Sequence, residues 1–312
     1  MMDQLLLPFY LPFMVKGMVI TISIALPMAL LSCFLILKGW SLLGDAMSHA
    51  IFPGVVLGYM TVPQVMAFAV WLGWAPLLAV PQIDMTMAMM ALGAFVASMV
   101  CAILISFIGD HSRVKRDTVM GIIFSAMFGL GLVLSSMVRS ELHLMHILFG
   151  NLLGVSWTDI GQTMVIAGVI FLFLGVKWRD FMLFSFDEIQ AKAAGLRVQL
   201  LHYILLMMIA LAIVAALKAV GIVLSISLLI APGAIAYLLT KRFSSMLWVA
   251  FSVAGFASVF GVYISLFLGS DSAATVVLTL ASIFIAAFFW TSYAEVRLMR
   301  DSSGEIKGKQ EY

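Results

Sequence analysis

Long apolar runs alternate with short polar breaks along this chain, and most of the runs have the length of a membrane-crossing helix. They cover roughly 13–37, 46–74, 86–108, 118–138, 160–176, 200–217, 220–239, 246–268 and 272–293. A hydrocarbon core about 30 Å thick is crossed by about 20 helical residues. The pattern therefore predicts an all-α protein, a polytopic transmembrane helical bundle of about eight or nine spans. The count turns on the second run, which Pro53-Gly54 and Pro63 interrupt. That run reads either as one broken helix or as a helix followed by a partly inserted segment. Such breaks are tolerated in a bilayer only where protein or water satisfies the freed backbone groups. The Lys218–Gly221 connection is so short that the sixth and seventh runs read as a tight helical hairpin.

Composition sharpens this picture. Of the 312 residues 64% are hydrophobic and only 10% are charged, against about 25% charged in a soluble domain. A water-soluble core could not hide so much apolar surface behind so few charges. A soluble enzyme, a secreted disulfide scaffold and a disordered chain are thereby excluded. The net charge of +2 is too small to imply nucleic-acid binding. Cys33 and Cys101 each lie inside an apolar run and form no CxxC pair, so buried free thiols are expected. The start of the chain has no basic n-region and does not read as a cleaved signal peptide. Residues 1–296 form one transmembrane domain with a cytoplasmic loop at about 177–198. Residues 297–312, rich in Lys, Glu, Ser and Gly, are expected to be a disordered cytoplasmic tail.

The basic residues set an orientation. One set of alternating loops holds Lys38, Arg113, Lys115, Arg116, Lys177, Arg179, Lys192, Arg197, Lys241, Arg242, Arg297, Arg300, Lys307 and Lys309, which is 14 of the 17 Lys and Arg. The opposite side holds Lys16, Arg139 and Lys218. Positive charge stays in the cytoplasm, so nine spans put the N-terminus outside and the C-terminus inside.

Recognisable enzyme chemistry is missing. A phosphate-cradling loop needs G-x-x-x-x-G-K-[ST], and the Gly308-Lys309 pair is followed by Gln310. No His precedes a Glu, which removes the HExxH metalloprotease helix. The chain is expected not to be an enzyme.

Four segments carry information. In Gly44-Asp45-Ala46-Met47-Ser48-His49 the carboxylate and imidazole are spaced i, i+4 and share a helical face, with Ser48 beside them. Ionisable groups at the edge of an apolar span are costly and mark cavities or partners. Oxygen and imidazole nitrogen suit Mn²⁺, Fe²⁺ and Zn²⁺ better than Mg²⁺ or Ca²⁺. One copy supplies two strong ligands, and two copies across a symmetric interface would supply four. The same spacing also fits a helix-capping Asp with a packed His. In the second segment, 177–198, Phe186, Ile189, Ala193 and Leu196 recur at helical spacing. Asp187 and Glu188 stand at its start and Gly195 near its end, the polarity of a short helix that could lie on the membrane or dock into a partner. In the third, Pro232-Gly233 interrupts a span, as Pro53-Gly54 does, and both are candidate kink or gating points. In the fourth, His143 and His146 follow Glu141 in an outer loop, a weaker candidate for metal contact.

Together these segments resemble the permease subunits of bacterial ABC transporters that import manganese, iron or zinc. The family's signature is matched by Gly44, Asp45, Ser48, His49, Ala50, Pro53 and Gly54. Further matches follow in the same order: Asp117, Thr118, Gly121 and Ile122, then Leu148, Phe149, Gly150 and Asn151. Ala191, Gly195 and Leu196 come next, and then Leu228, Leu229, Ile230 and Pro232. The resemblance implies that Asp45 and His49 line the metal's path and that Asp187, Glu188, Ala191, Gly195 and Leu196 belong to a coupling helix seated in a separate ABC ATPase subunit. It implies a second permease chain, identical or related, and an extracytoplasmic metal-binding protein. The bilayer would be the bacterial cytoplasmic membrane, and the divalent metal would be cargo, with no permanently bound cofactor. His143 and His146 fall outside the pattern. The competing expectation is an ATP-independent secondary transporter or channel for divalent cations, with Asp45 and His49 as a relay.

Overall fold

A computed structural model describes residues 8, 10–71, 85–138 and 152–309. Nine helices form among them: α1 Pro12–Leu37, α2 Leu43–Trp71, α3 Met85–His111, α4 Arg116–Met137, α5 Trp157–Phe186, α6 Glu188–Ala193, α7 Val198–Leu239, α8 Phe243–Leu268 and α9 Ser272–Lys309. Eight of the nine are long and apolar enough to cross a bilayer; α6 is not.

The 42-residue α7 crosses twice. Gly221 sits at φ 76°, ψ 178°, outside helical geometry and in a region open essentially to glycine alone. On the first arm, the His202 ring meets the Trp40 ring at 5.2 Å. On the second, Leu229 packs directly on Gly44. In a straight helix residues 202 and 229 would stand about 40 Å apart, whereas Trp40 and Gly44 lie within about 14 Å along the chain. The helix must therefore fold back at Gly221. Arms 198–220 and 222–239 rise roughly 35 and 27 Å, each close to the bilayer's core. The expected hairpin is present, so the eight membrane-length helices among the described residues account for nine passes.

Two ends of the bundle follow from this. One gathers Lys38, Trp40, α6 and the start of α7. The other gathers Lys218, which pairs with Asp159 in the capping box of α5, and Lys16, 5.3 Å over the Trp157 ring. Helix α1 is the central post, with Ile20, Ile24, Leu31 and Phe34 all buried. It packs on α5, α7 and α8, whereas α2, α3 and α4 pack on one another, and α7 joins the two groups.

The Pro-Gly interruptions and residues 297–309 are all helical in the structure. Helix α2 runs unbroken through Pro53 and Pro63, and α7 stays helical through Pro232. Neither pair ends a helix. Gly54 instead serves a close crossing, since a Cβ there would lie 2.3 Å from the Gly93 carbonyl oxygen of α3. Gly233 likewise lies against Ser32 of α1. Such small-residue contacts let membrane helices approach closely. Lastly, α9 continues as helix to Lys309, where a disordered tail from 297 was expected. Arg, Met, Glu and Lys are good helix formers and extend a helix already nucleated by its span. The polar boundary expected at 177 appears as a kink in α5, where Lys177 leaves helical geometry at φ −112°, ψ 16°. Cys33 and Cys101 are buried and free, as expected.

Candidate metal path and its coupling helix

Asp45 and His49 lie on the third and seventh residues of α2, so the imidazole is roughly 9 Å from the helix start. Their i, i+4 spacing brings His49 Nε2 to 3.4 Å from Asp45 Oδ1. His49 stands against a wall from α4, with ring centroids 4.8 Å from Phe124 and 5.6 Å from Phe128, both edge-on. Its Nδ1 is buried, and among the described residues no group hydrogen-bonds to it. Buried polar atoms are ordinarily partnered, so a purely structural histidine would leave this atom satisfied. Pro53, four residues on, has no N–H, so the His49 carbonyl loses its usual intrahelical donor. The segment thus offers a carboxylate and an imidazole side by side, and a carbonyl freed of its usual helical donor. Both side chains remain partly open, Asp45 37% and His49 26% exposed.

Ser48 does not join them. It is fully buried, and its hydroxyl donates to the Gly44 carbonyl at 2.7 Å. His143, His146 and the 148–151 segment lie outside the described residues. Among the described residues no three His, Cys, Asp or Glu gather into a metal-sized cluster. The described residues therefore bring together one carboxylate and one imidazole at this site.

At the same end, α6 forms as its sequence implies. Asp187 is the N-cap, its carboxylate accepting from Ile189 N at 2.8 Å and Gln190 N at 3.1 Å. The short helix closes at Gly195, φ 79°, with Leu196 packed on the core. Ala191 is wholly buried and faces the bundle. The exposed apolar side chains are Ile189, 80% open, and Phe186 at the end of α5. Any partner of α6 meets these two rather than Ala191.

Glu188 forms an ion pair with Lys38 at the end of α1. Burial alone would raise the Glu188 carboxyl. The Lys38 hydrogen bond and charge, with Arg116 behind them, outweigh that and hold it below its ordinary value. The Lys38 side chain is only 6% exposed. Its burial pulls the ammonium below the ordinary lysine value despite the pull of Glu188. The two shifts are compatible: the more buried partner carries the desolvation, and the more open one gains the pairing. Around the pair, Arg116 binds Asp110 at 2.6 Å, and Ser106 Oγ lies 3.0 Å from His202 Nε2. These groups line a polar cleft of about 660 Å³. Sequence reasoning used Lys38 only to set orientation and did not single out Trp40, Asp110 or His202. The local signal was Lys38 itself, a charge directly at the end of an apolar run.

The sequence profile of the ABC 3 transport family matches residues 10–291. The chain is 43% identical over 290 residues to the chelated iron transport system membrane protein YfeD of Yersinia pestis, covering 93% of this chain and 89% of that protein. It is 38% identical over 280 residues to the manganese transport system membrane protein MntB of Synechocystis sp., covering 90% and 83%. Among solved structures, PsaBC from Streptococcus pneumoniae in complex with Fab superposes with a TM-score of 0.76 at 32% identity, covering 95% of this chain and all of that one. Matches of this extent and order along the whole bundle leave one assignment: the chain is a multi-pass member of the ABC 3 transport family.

Proposed function

We propose that this chain is the membrane-spanning permease subunit of an ATP-driven importer of divalent transition metals, manganese, iron or zinc, with ATP hydrolysed on a separate subunit. The observation that carries the reading is the Asp45–His49 pair, held at 3.4 Å with a free buried imidazole nitrogen. The relatives named for iron and manganese transport support the class of cargo. Two copies of α2 facing each other would present two carboxylates and two imidazoles, a set that replaces part of a metal's hydration shell. Passage requires binding weak enough to release, which a divided, partly open site provides. The second permease is an identical or related chain, and an extracytoplasmic binding protein delivers the metal. Helix α6 seats in the ATPase through Ile189 and Phe186, apolar groups that would otherwise stand in water. The concentration of basic residues on one set of loops supports an N-terminus outside, with α6 and the C-terminus in the cytoplasm.

Replacing Asp45 or His49 with Ala in the assembled transporter should abolish metal uptake while membrane insertion stays normal. Near-normal uptake in both variants would sink the reading. An ATP-independent carrier predicts instead that this chain alone, in vesicles under a proton gradient, accumulates metal; the proposal predicts none until the ATPase and ATP are supplied.

A further inference from the structure

Helix α6 is six residues long, and its cap is its own Asp187. Ala191 and Leu196 hold it to the bundle by apolar contact. Among the described residues, a single side-chain polar link ties it to another helix or turn: Glu188 to Lys38. Lys38 is an unusual partner. It ends α1 beside water, yet it is almost wholly buried, its ammonium 5.1 Å from the Trp40 ring centroid and 3.6 Å from that of Phe184. A lysine serving only to mark the cytoplasmic side would extend into water. This one is desolvated between two aromatic faces and ends on one carboxylate, an arrangement that fixes the direction of the link.

What the link joins gives it meaning. Phe184 lies three residues before the Asp187 cap, so both Lys38 contacts on that side move with the α5–α6 junction. On the other side, Lys38 is followed by a tight turn, and α2 begins at Leu43, with Asp45 seven residues from Lys38. Trp40 in that turn is the hub where the neighbouring helices meet: the His202 ring of α7 stands 5.2 Å away, edge-on, and the Arg116 guanidinium of α4 lies 5.7 Å from its centroid. We propose that the Lys38–Glu188 pair is a strut that carries displacement of α6 into the base of α2, and so to Asp45 and His49. Lys38 is on this account a positioning residue, and the proposal rests on the importer reading above.

The test uses the complete complex with its ATPase subunits in proteoliposomes, with Mn²⁺ uptake and ATP hydrolysis measured on the same vesicles. Lys38→Met keeps the packing and Glu188→Gln keeps the shape, and each removes the charge that makes the strut. In Lys38→Met ATP hydrolysis should stay near the parent's while Mn²⁺ taken up per ATP falls several-fold, and Glu188→Gln should lower the same ratio. Lys38→Arg, which keeps the cation between the two rings, should recover much of the ratio. A merely structural anchor would lower uptake and hydrolysis in proportion, and that result, or an unchanged ratio in Lys38→Met, overturns the proposal. Should Lys38→Met fail to assemble, Lys38→Gln, which removes the charge but keeps a polar end outside the ATPase-facing helix, carries the test. Asp45→Ala in the same assay separates the two ideas. If it transports normally the metal path is wrong, whatever Lys38 does.

Discussion

Replacing Gly93 with Ala tests whether the helix that bears Asp45 and His49 is held in place by backbone contact. A Cβ at Gly93 would sit 2.2 Å from the Gly54 carbonyl oxygen and 3.1 Å from the Gly58 Cα. The reciprocal positions are as tight: Gly54 would meet the Gly93 oxygen at 2.3 Å, and Gly58 the Met89 oxygen at 2.3 Å. Ordinary contact begins near 3.4 Å, so α2 and α3 would have to separate by about 1.2 Å. The obstructing atoms are backbone, so no side chain can swing aside. Overpacking of this kind costs about 1–3 kcal/mol, and the rigid neighbours place it near the upper end. Greater helix propensity returns about 0.8–1 kcal/mol, leaving roughly 2 kcal/mol of destabilisation. Gly168 in α5 is the control, exposed and with nothing within 4 Å of a Cβ. There the propensity term acts alone, and Gly168→Ala should be neutral or stabilising by up to about 1 kcal/mol. Thermal unfolding in detergent reads both variants, and they should shift in opposite directions. Metal uptake by Gly93→Ala should fall as well, because the crossing at Gly54 is five residues from His49. A Gly93→Ala protein that melts at or above the parent's temperature would refute the close crossing.

Two further outcomes follow from the same geometry. Gly221→Ala forces a Cβ into a glycine-only backbone region, which should cost about 1–3 kcal/mol and lower the melting temperature; an unchanged melt would mean that the chain does not reverse there. The Lys38–Glu188 pair sets a pH window: Glu188 has a folded value below its unfolded one, so its contribution is complete above the ordinary glutamate pKa of about 4.3 and is lost as pH falls through the depressed value. Hydrogen exchange of the 188–193 amides, corrected for intrinsic rate, should be flat from pH 7 to 5 and rise only in more acid solution, whereas a rise already between pH 7 and 6 would contradict the pairing.

Much of this architecture was legible because membrane folding writes local signals. Length and apolarity mark each span, and the Lys218–Gly221 connection marks the reversal within α7, since two membrane-length arms joined by four residues have no other arrangement. The change in polarity at Lys177 coincides with the kink in α5, and Asp187 with Glu188 marks the start of α6. What stayed hidden depends on contacts across the bundle. Pro53 reads as a break, yet α2 continues, because α3 and α4 pack along it and a lost backbone bond does not outweigh their contacts. Ser48 reads as a third ligand by spacing, yet its hydroxyl turns back to Gly44, a bond open to any helical serine. Lys38 and Glu188 are 150 residues apart, and no periodicity in one sequence pairs them.

The position of Asp45 and His49 also bears on how a permease can let go of a metal it has captured. A site built wholly within one chain would be closed by rigid packing, and its four ligands would hold a transition metal tightly. On the importer reading proposed above, each of two chains would offer one carboxylate and one imidazole near the start of α2, below the glycine crossing and beside the turn that Lys38 anchors. Above this level α2 is locked to α3 by backbone contact; below it, the helix is reached through the Lys38–Glu188 pair. A shift of α6 would therefore act on the ligand-bearing turn of α2 with Gly54 as the fixed point. Two such turns moving apart would split the ligand set between subunits, so release needs no ligand of either chain to change its own helix.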